Sequence, residues 1–300
     1  MRVVPTTPFR VLDAPGLRDD YYCSLIAYSA RTHSLAVGLH SDVYTWQESV
    51  GAHPFKQWSS AHVTCLAFSS FAGGNNILAI GRINGSLTLW DPDERAPRIE
   101  QPHNASIACL AWKPVISQPP IAAQAAQAAQ ATGYVEDLLV GDELGNICLY
   151  AVTWGSAVQP ASMLLLRCVV VHTQQICGLA WSADGTMLAT GGNDNAAFLF
   201  DTADIEGVRL ADGRRREVRP DERVLEGAGV EKHRWLHGAA VKAIAFCPWR
   251  RTLLATGIAP IPVLPAHFPE VRRRRWLTKR QAADRTTDAS ISSTPAPAQP

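Results

Sequence analysis

A chain of 300 residues can form one large domain or two ordinary ones, with enough length to bury a sizeable core. Its 47% apolar and 18% charged residues are typical of a folded protein, and a formal net charge of +1 gives no general attraction to nucleic acid or membranes. Because no apolar run approaches the length of a membrane span, we expect an intracellular, soluble protein whose partners are neither nucleic acid nor a membrane.

The cysteines and histidines show no pattern that indicates a metal or redox site. The seven cysteines form no C-x-x-C pair, and the nine histidines add no spacing typical of metal ligands. We therefore expect no metal and no cofactor. We predict that the cysteines are reduced, buried thiols, since Cys65 and Cys109 each lie three residues before an aromatic residue within an apolar run. The full set is Cys23, Cys65, Cys109, Cys148, Cys168, Cys177 and Cys247.

The chain repeats one sequence pattern along its length. In chain order the copies are SLIAYSARTHSLAVGLHSDVYTWQ, SSAHVTCLAFSSFAGGNNILAIGRINGSLTLWD, HNASIACLAWKP with its continuation DLLVGDELGNICLY, HTQQICGLAWSADGTMLATGGNDNAAFLFD, and HGAAVKAIAFCPWRRTLLATG. In three copies a histidine precedes an aromatic residue by nine positions, which gives the pairs His103–Trp112, His172–Trp181 and His237–Phe246.

Each copy predicts at least three β-strands. A strand of alternating apolar residues leads through a polar turn to a short apolar strand that ends in glycine. A second turn then leads to a strand that ends near a Trp-Asp pair, as at Trp90 and Asp91. One copy is too small to bury both faces of its sheet, so it needs neighbours. A period of about 40 residues with this order of elements is typical of a WD-repeat β-propeller, an all-β fold.

The recurring histidine and aspartate have a structural explanation. A histidine before the first strand can bond to an aspartate in a later turn, and we expect His172 and Asp194 to form such a pair. A catalytic His-Asp dyad needs a neighbouring nucleophile, and the sequence places none there. The sequence also has no glycine-rich phosphate loop. We expect no enzyme activity.

The turn GGNDN holds the most specific candidates for binding. We expect Gly191 and Gly192 to form the bend of the turn and Asp194 to stabilise the blade. The side chains of Asn193 and Asn195 each combine a hydrogen-bond donor with an acceptor, which suits a peptide ligand. Residue propensities alone favour a simple turn role for both asparagines.

Three segments together resemble the Fizzy and Fizzy-related proteins, which activate the anaphase-promoting complex, a ubiquitin ligase. They are RVLDAPGLRDDYYCSLIAYS, HTQQICGLAWSADGTMLATGGNDN and HGAAVKAIAFCPWRRTLLATG, and they occur in the family's order. The segment EDLLVGDELGNICLY is more similar to the meiosis-specific fungal branch. The resemblance implies a non-catalytic activator in the nucleus and cytoplasm that regulates the cell cycle or meiosis.

The resemblance also implies the partners and the site residues. The partners are subunits of the ligase and substrate proteins that carry a destruction box (Arg-x-x-Leu) or a Lys-Glu-Asn box. Asp13 matches the family's acidic partner for the destruction-box arginine, with Leu12 beside it. Asp20, Asn193 and Asn195 match the Lys-Glu-Asn site. Because the turns at one face of a propeller converge on its channel, we expect these acids and amides to meet there.

The resemblance covers residues 9–257, with insertions at 114–136 and 204–231. After Gly257 the family continues into two further blades, whereas this chain has prolines that oppose central strands and then a Ser/Thr/Ala/Pro-rich stretch. We therefore predict an incomplete propeller with about four to five of the family's seven blades, followed by a disordered tail at 258–300. Two alternatives to the activator stay open, a generic WD-repeat scaffold and a non-functional truncated fragment.

Overall fold

The structure of the protein is a computed structural model that describes residues 7–8, 10–55, 59–70, 76–117, 135–154, 161–207, 223–226, 229–250 and 253–258. Within these ranges the chain forms five β-sheets, called blades 1 to 5 in chain order, and one short helix. The predicted all-β propeller class is confirmed. The predicted disordered tail lies outside the described residues from position 259 onward.

The blades follow one another along the chain. Blade 1 contains β1 (Ile26–Ser29), β2 (Ser34–Leu39), β3 (Asp42–Gln47) and β4 (Gly51–Phe55). Blade 2 contains β5 (Val63–Phe68), β6 (Leu78–Arg82), β7 (Ser86–Trp90) and β8 (Ile99–Pro102). Blade 3 contains β9 (Ile107–Trp112), β10 (Val135–Asp142), β11 (Asn146–Thr153) and β12 (Ser162–Val170). Blade 4 contains β13 (Ile176–Trp181), β14 (Met187–Gly192), β15 (Ala196–Asp201) and β17 (His233–Leu236), and blade 5 contains β18 (Val241–Phe246) and β19 (Leu254–Ile258).

Both predicted insertions contain residues that belong to the fold. The last two residues of 114–136 lie in β10, and positions 118–134 lie outside the described residues. In the insertion 204–231, β16 (Val224–Glu226) pairs in parallel with β12 and gives blade 3 a fifth strand. The helix α1 (Thr202–Glu206) begins directly after β15, and its buried Glu206 forms an ion pair with Lys113 of blade 3. These contacts are long-range, so local sequence does not reveal them.

The core lies between successive blades. The second strands β6 and β10 are buried along their whole length, because a neighbouring blade covers each of their faces. Leu89 of blade 2 packs in one cluster with Ile107 and Leu138 of blade 3, while Leu139 packs in a second cluster with Leu188 of blade 4. Burial of apolar surface therefore stabilises the blades pairwise, as the repeat pattern predicted.

Two of the cysteines are not reduced thiols, in contrast to our expectation. Cys148 and Cys168 face each other across β11 and β12 with their Cα atoms 4.0 Å apart, and they form a disulfide. Their pairing depends on the strand register, which the sequence spacing does not show. Among the free cysteines, burial raises the pKa of Cys65 to about 12 and also raises the pKa of Cys109 well above its ordinary value, so both remain protonated.

The glycine at the end of each second strand has a packing role. Gly191 lies where β14 meets blade 5, and a Cβ atom there would collide with the backbone carbonyl oxygen of Val241. A Cβ on Gly81 in blade 2 would lie only 2.6 Å from Ile107 Cγ2 in blade 3. These glycines therefore permit close approach between blades, whereas our expectation assigned Gly191 to the bend.

Over the residues that the structure describes, no helix is long and apolar enough to span a membrane.

We predict that Gly191→Ala lowers the free energy of unfolding by about 1–3 kcal/mol, because backbone atoms of blade 5 must shift to admit the methyl group. Denaturant unfolding followed by fluorescence measures this loss. Gly238→Ala is the matched control, since a Cβ atom there meets nothing within 4 Å. Equal stability of the two variants would contradict the close approach of blades 4 and 5.

Candidate functional site

The N-terminal segment, residues 17–24, runs beside the sheets and connects blades that are distant in the chain. The Ser24 N–H donates to the Thr64 carbonyl of blade 2 over 2.9 Å. The Tyr21 hydroxyl donates to the Ala240 carbonyl, just before blade 5, over 2.9 Å. The segment therefore links the inner strands of blades 2 and 5, and it leads directly into blade 1.

Lys242 in β18 fastens the N-terminal segment to blade 5. Its ammonium group donates to the Cys23 carbonyl oxygen over 2.7 Å and also to the Tyr21 carbonyl oxygen. The Lys242 Nζ atom lies 5.5 Å from the centre of the Tyr21 ring, within the range of a cation–π contact. These contacts hold the backbone on both sides of Tyr22. The resemblance did not assign a role to Lys242, although a lysine inside the apolar strand VKAIAF was a visible signal.

Asp20 forms a tight turn within this segment. Its Oδ1 accepts the Tyr22 N–H over 2.8 Å, and its Oδ2 lies 2.6 Å from Arg18 Nη2 and 3.4 Å from Cys23 Sγ. Partial burial raises the pKa of the Asp20 carboxyl, but the hydrogen bonds from Tyr22 and Cys23 and the charges of Arg18 and Lys242 outweigh this effect and lower the pKa overall. Asp20 is therefore a carboxylate at neutral pH.

Asn193 lies next to this turn although it is far away in the sequence. The Tyr22 hydroxyl donates to Asn193 Oδ1 over 2.9 Å, and Asn193 Nδ2 donates to Gln174 Oε1 over 2.7 Å. The Asn193 N–H donates to the Gln175 carbonyl over 2.9 Å. The structure thus connects Asp20 and Asn193 through the backbone N–H and the hydroxyl of Tyr22, a residue to which sequence reasoning gave no role.

Asn195 provides the bend that we expected from the glycines. It has a φ of 64°, in the left-handed region that asparagine tolerates better than most residues. Its carbonyl oxygen accepts the His237 N–H over 2.8 Å. In the described part of the chain its side-chain amide makes no hydrogen bond and is half-buried. The backbone of Asn195 therefore shapes the turn, while its side chain remains a candidate for ligand contact.

The structure places His172 and Asp194 in contact. His172 Nδ1 lies 2.9 Å from Asp194 Oδ1, and His172 Nε2 lies 2.9 Å from Thr190 Oγ1. Asp194 also accepts the N–H groups of Thr173 and Ala196. Burial raises the pKa of the Asp194 carboxyl, but the bonds from His172 and the two N–H groups outweigh burial and lower it. The pair holds the β14–β15 turn, and the His172 side chain is fully buried.

The aromatic residues of the repeat connect each blade to the one before it. Trp181 Nε1 donates to the Ala111 carbonyl of blade 3 over 3.2 Å, and Trp112 makes the same bond to Ala67 of blade 2. Trp90 stacks on Phe55 of blade 1 with ring centres 3.9 Å apart. These rings are structural. Asp91 accepts from Arg98 over 2.9 Å, so it also supports the blade.

Leu12 lines a cavity of about 800 Å³ beside blade 1. Tyr28 and Trp46 form its aromatic walls, and the Arg10 guanidinium lies 5.6 Å from the centre of the Trp46 ring. Arg10 also lies 3.7 Å from Glu48. The lining of the cavity therefore combines apolar and aromatic side chains with the charged side chains of Arg10 and Glu48.

The predicted site residues form two separate groups, which corrects the expectation that they meet at one face. Tyr22, at the beginning of blade 1, contacts Asn193, whereas Leu12 packs near the turn that follows β1, at Thr32 and His33. Strand β1 runs from one end of the blade to the other, so the groups lie at opposite ends. Asp13, which follows Leu12 in the chain, is exposed. Within the described ranges, no cluster of three or more His, Cys, Asp or Glu side chains is arranged to hold a metal ion.

The comparisons with known proteins agree with this architecture. The family described as "WD domain, G-beta repeat" matches residues 164–201, which include β13 to β15 of blade 4. The chain is 35% identical over 255 residues to "Meiotic fizzy-related protein 2" of Schizosaccharomyces pombe, covering 84% of this chain and 40% of that protein. The chain is homologous to the fizzy-related proteins. The resemblance predicted from the sequence, including its similarity to meiotic fungal members, is confirmed.

Two further matches extend this fizzy-related homology. "Meiosis-specific APC/C activator protein AMA1" of Saccharomyces cerevisiae is 30% identical over 286 residues, which cover 85% of this chain and 41% of AMA1. A chain in the "Crystal Structure of Mitotic Checkpoint Complex" is 29% identical with a TM-score of 0.61, covering 86% of this chain and 63% of that one. The present chain thus spans about two fifths of the length of these curated fizzy-related relatives.

We predict that Asp194→Asn lowers the free energy of unfolding by about 1–3 kcal/mol at pH 7, because the charged partner of His172 and two N–H groups is lost. The folded-state pKa of Asp194 is lowered, so its contribution is full above the ordinary pKa near 3.8 and falls as the pH drops through the lower folded value. Denaturant unfolding at several pH values measures the difference from the wild-type chain.

The exposed Asp19→Asn serves as control and is expected to change stability little at any pH. A loss in Asp194→Asn that persists undiminished in acid would contradict the charge-based account.

Proposed function

We propose that this chain recruits substrate proteins to the anaphase-promoting complex by binding their short linear motifs. One observation carries the proposal: Tyr22 connects a carboxylate, Asp20, which accepts its backbone N–H, with an amide, Asn193, which accepts its hydroxyl, on a homologue of proteins named as activators of that complex. The role is that of a non-catalytic adaptor in cell-cycle or meiotic regulation. Its location in the nucleus and cytoplasm stays a prediction.

The first group of residues suits a Lys-Glu-Asn motif. Asp20 is charged at neutral pH, and its pKa is lowered, so it can accept a charge-assisted hydrogen bond from the lysine of the motif. The amide of Asn193 accepts the Tyr22 hydroxyl, and two residues further on lies the amide of Asn195, which makes no hydrogen bond among the described residues. Each amide offers both a donor and an acceptor, which matches the carboxylate and the amide of the remaining two motif residues.

The second group suits a destruction box. Asp13 is exposed and can face a guanidinium group, a pair that favours bidentate hydrogen bonds. Beside it, the cavity lined by Leu12, Tyr28 and Trp46 can enclose the leucine side chain of Arg-x-x-Leu. Because the two groups lie at opposite ends of blade 1, the proposal assigns each motif to its own surface.

The two surfaces lead to a crossed test with fluorescent peptides and the full chain. We predict that Asn193→Ala weakens binding of a Lys-Glu-Asn peptide about tenfold, as expected for losing a hydrogen bond to a charged partner, and leaves an Arg-x-x-Leu peptide unaffected. Asp13→Asn has the opposite effect, weakening the Arg-x-x-Leu peptide alone. Fluorescence anisotropy measures both affinities.

The control variant is Asn84→Ala, which changes the corresponding turn of blade 2, where Asn84 only accepts the Ser86 N–H. It is expected to leave both peptides bound as in the wild-type chain. Unchanged affinity in Asn193→Ala would refute the first surface, and unchanged affinity in Asp13→Asn the second. Binding of neither peptide by the wild-type chain would instead support a generic WD-repeat scaffold.

A further inference from the structure

The Asp20 carboxylate already has a cationic partner within the chain. Arg18 Nη2 lies 2.6 Å from Asp20 Oδ2, and the exposed fractions of the two side chains are 34% and 23%. The two residues are only two positions apart, so the pair forms without any other part of the fold. We propose that Arg18 competes with the lysine of an incoming peptide for Asp20 and thereby sets the affinity of this surface. The inference rests on the proposed function of Asp20.

The other partners of Asp20 do not compete in this way. The Tyr22 N–H binds Oδ1, and the Cys23 thiol donates to Oδ2 over 3.4 Å. A carboxylate accepts about four hydrogen bonds, so these two donors leave acceptor positions open for an ammonium group. Arg18, in contrast, places its own positive charge at Asp20 Oδ2, where the ammonium group of a peptide lysine would otherwise bind.

Lys242 is a second cation near Asp20, but it is not the one that competes with a peptide. Lys242 also acts on Asp20, since its charge contributes to the lowered pKa of that carboxyl. However, the Lys242 ammonium is held by the carbonyls of Tyr21 and Cys23, so it is anchored at the segment's backbone. Arg18 is therefore the cation that an incoming lysine has to displace, because it is partly exposed and bound through its side chain alone to the turn.

Removal of Arg18 is thus expected to strengthen peptide binding, whereas a purely supporting residue would weaken it when removed. An exposed ion pair is worth little, so we expect Arg18→Gln to tighten binding of a Lys-Glu-Asn peptide about two- to fivefold at low salt. Arg18→Lys keeps the cation and is expected to bind close to the wild-type level. Fluorescence anisotropy with the full chain measures all three affinities.

The matched control is Arg31→Gln, an exposed arginine in the turn after β1, which leaves affinity unchanged. If Arg18→Gln binds the peptide as the wild type does, or more weakly, while Asn193→Ala still weakens binding as predicted, the competition is refuted and the proposed function stands. An equal gain in Arg18→Lys also refutes it, because the charge is then not the cause. Absence of binding in both the wild type and Arg18→Gln overturns the proposed function and this inference together.

Discussion

The ammonium group of Lys242 is the contact on which the geometry of the first surface depends. It donates to the carbonyls of Tyr21 and Cys23 and lies over the Tyr21 ring, so it fixes the backbone of the N-terminal segment on both sides of Tyr22. Hydrogen bonds from a charged donor each contribute about 1.5–3 kcal/mol, more than an ordinary backbone pair. With Tyr21 and Cys23 held, the Asp20 turn faces outward and the Tyr22 hydroxyl reaches Asn193.

This arrangement makes blade 5 a supporting element for residues that precede blade 1. Lys242 follows Tyr21 by 221 positions, yet the two residues share one small region near the inner strands. The close packing of Gly191 on Val241 brings blade 5 against blade 4, which carries Asn193. The surface proposed to bind peptides and the packing of blades 4 and 5 therefore depend on neighbouring residues, and a change in one is expected to affect the other.

Local sequence signals predicted the blades well because each strand and turn is encoded within a few residues. Alternating apolar residues and the glycine that ends each second strand indicate the sheets. The His172–Asp194 pair also has a local basis in the repeat, and the structure places these side chains in contact.

Contacts between residues far apart in the chain could not be predicted from the sequence. The Tyr22–Asn193 bond spans 171 positions, and the pairing of Cys148 with Cys168 depends on strand register. Strand β16 could not be recognised in its charged segment, because it is stabilised by pairing with β12 of blade 3, which is distant in the chain. The separation of Leu12 from Asn193 follows from the direction of β1, which a single sequence does not encode.

Amide hydrogen exchange on the full chain, with Lys242→Met compared with the wild type, tests the central claim most directly. The substitution keeps a long apolar side chain and removes only the charge and the hydrogen bonds. The account predicts much faster exchange at the amides of Tyr22 and Ser24, which donate to Asp20 Oδ1 and to the Thr64 carbonyl of blade 2, with little change in the buried strand β10. Unchanged exchange at Tyr22 and Ser24 would contradict it, because the segment would then be held by something other than Lys242.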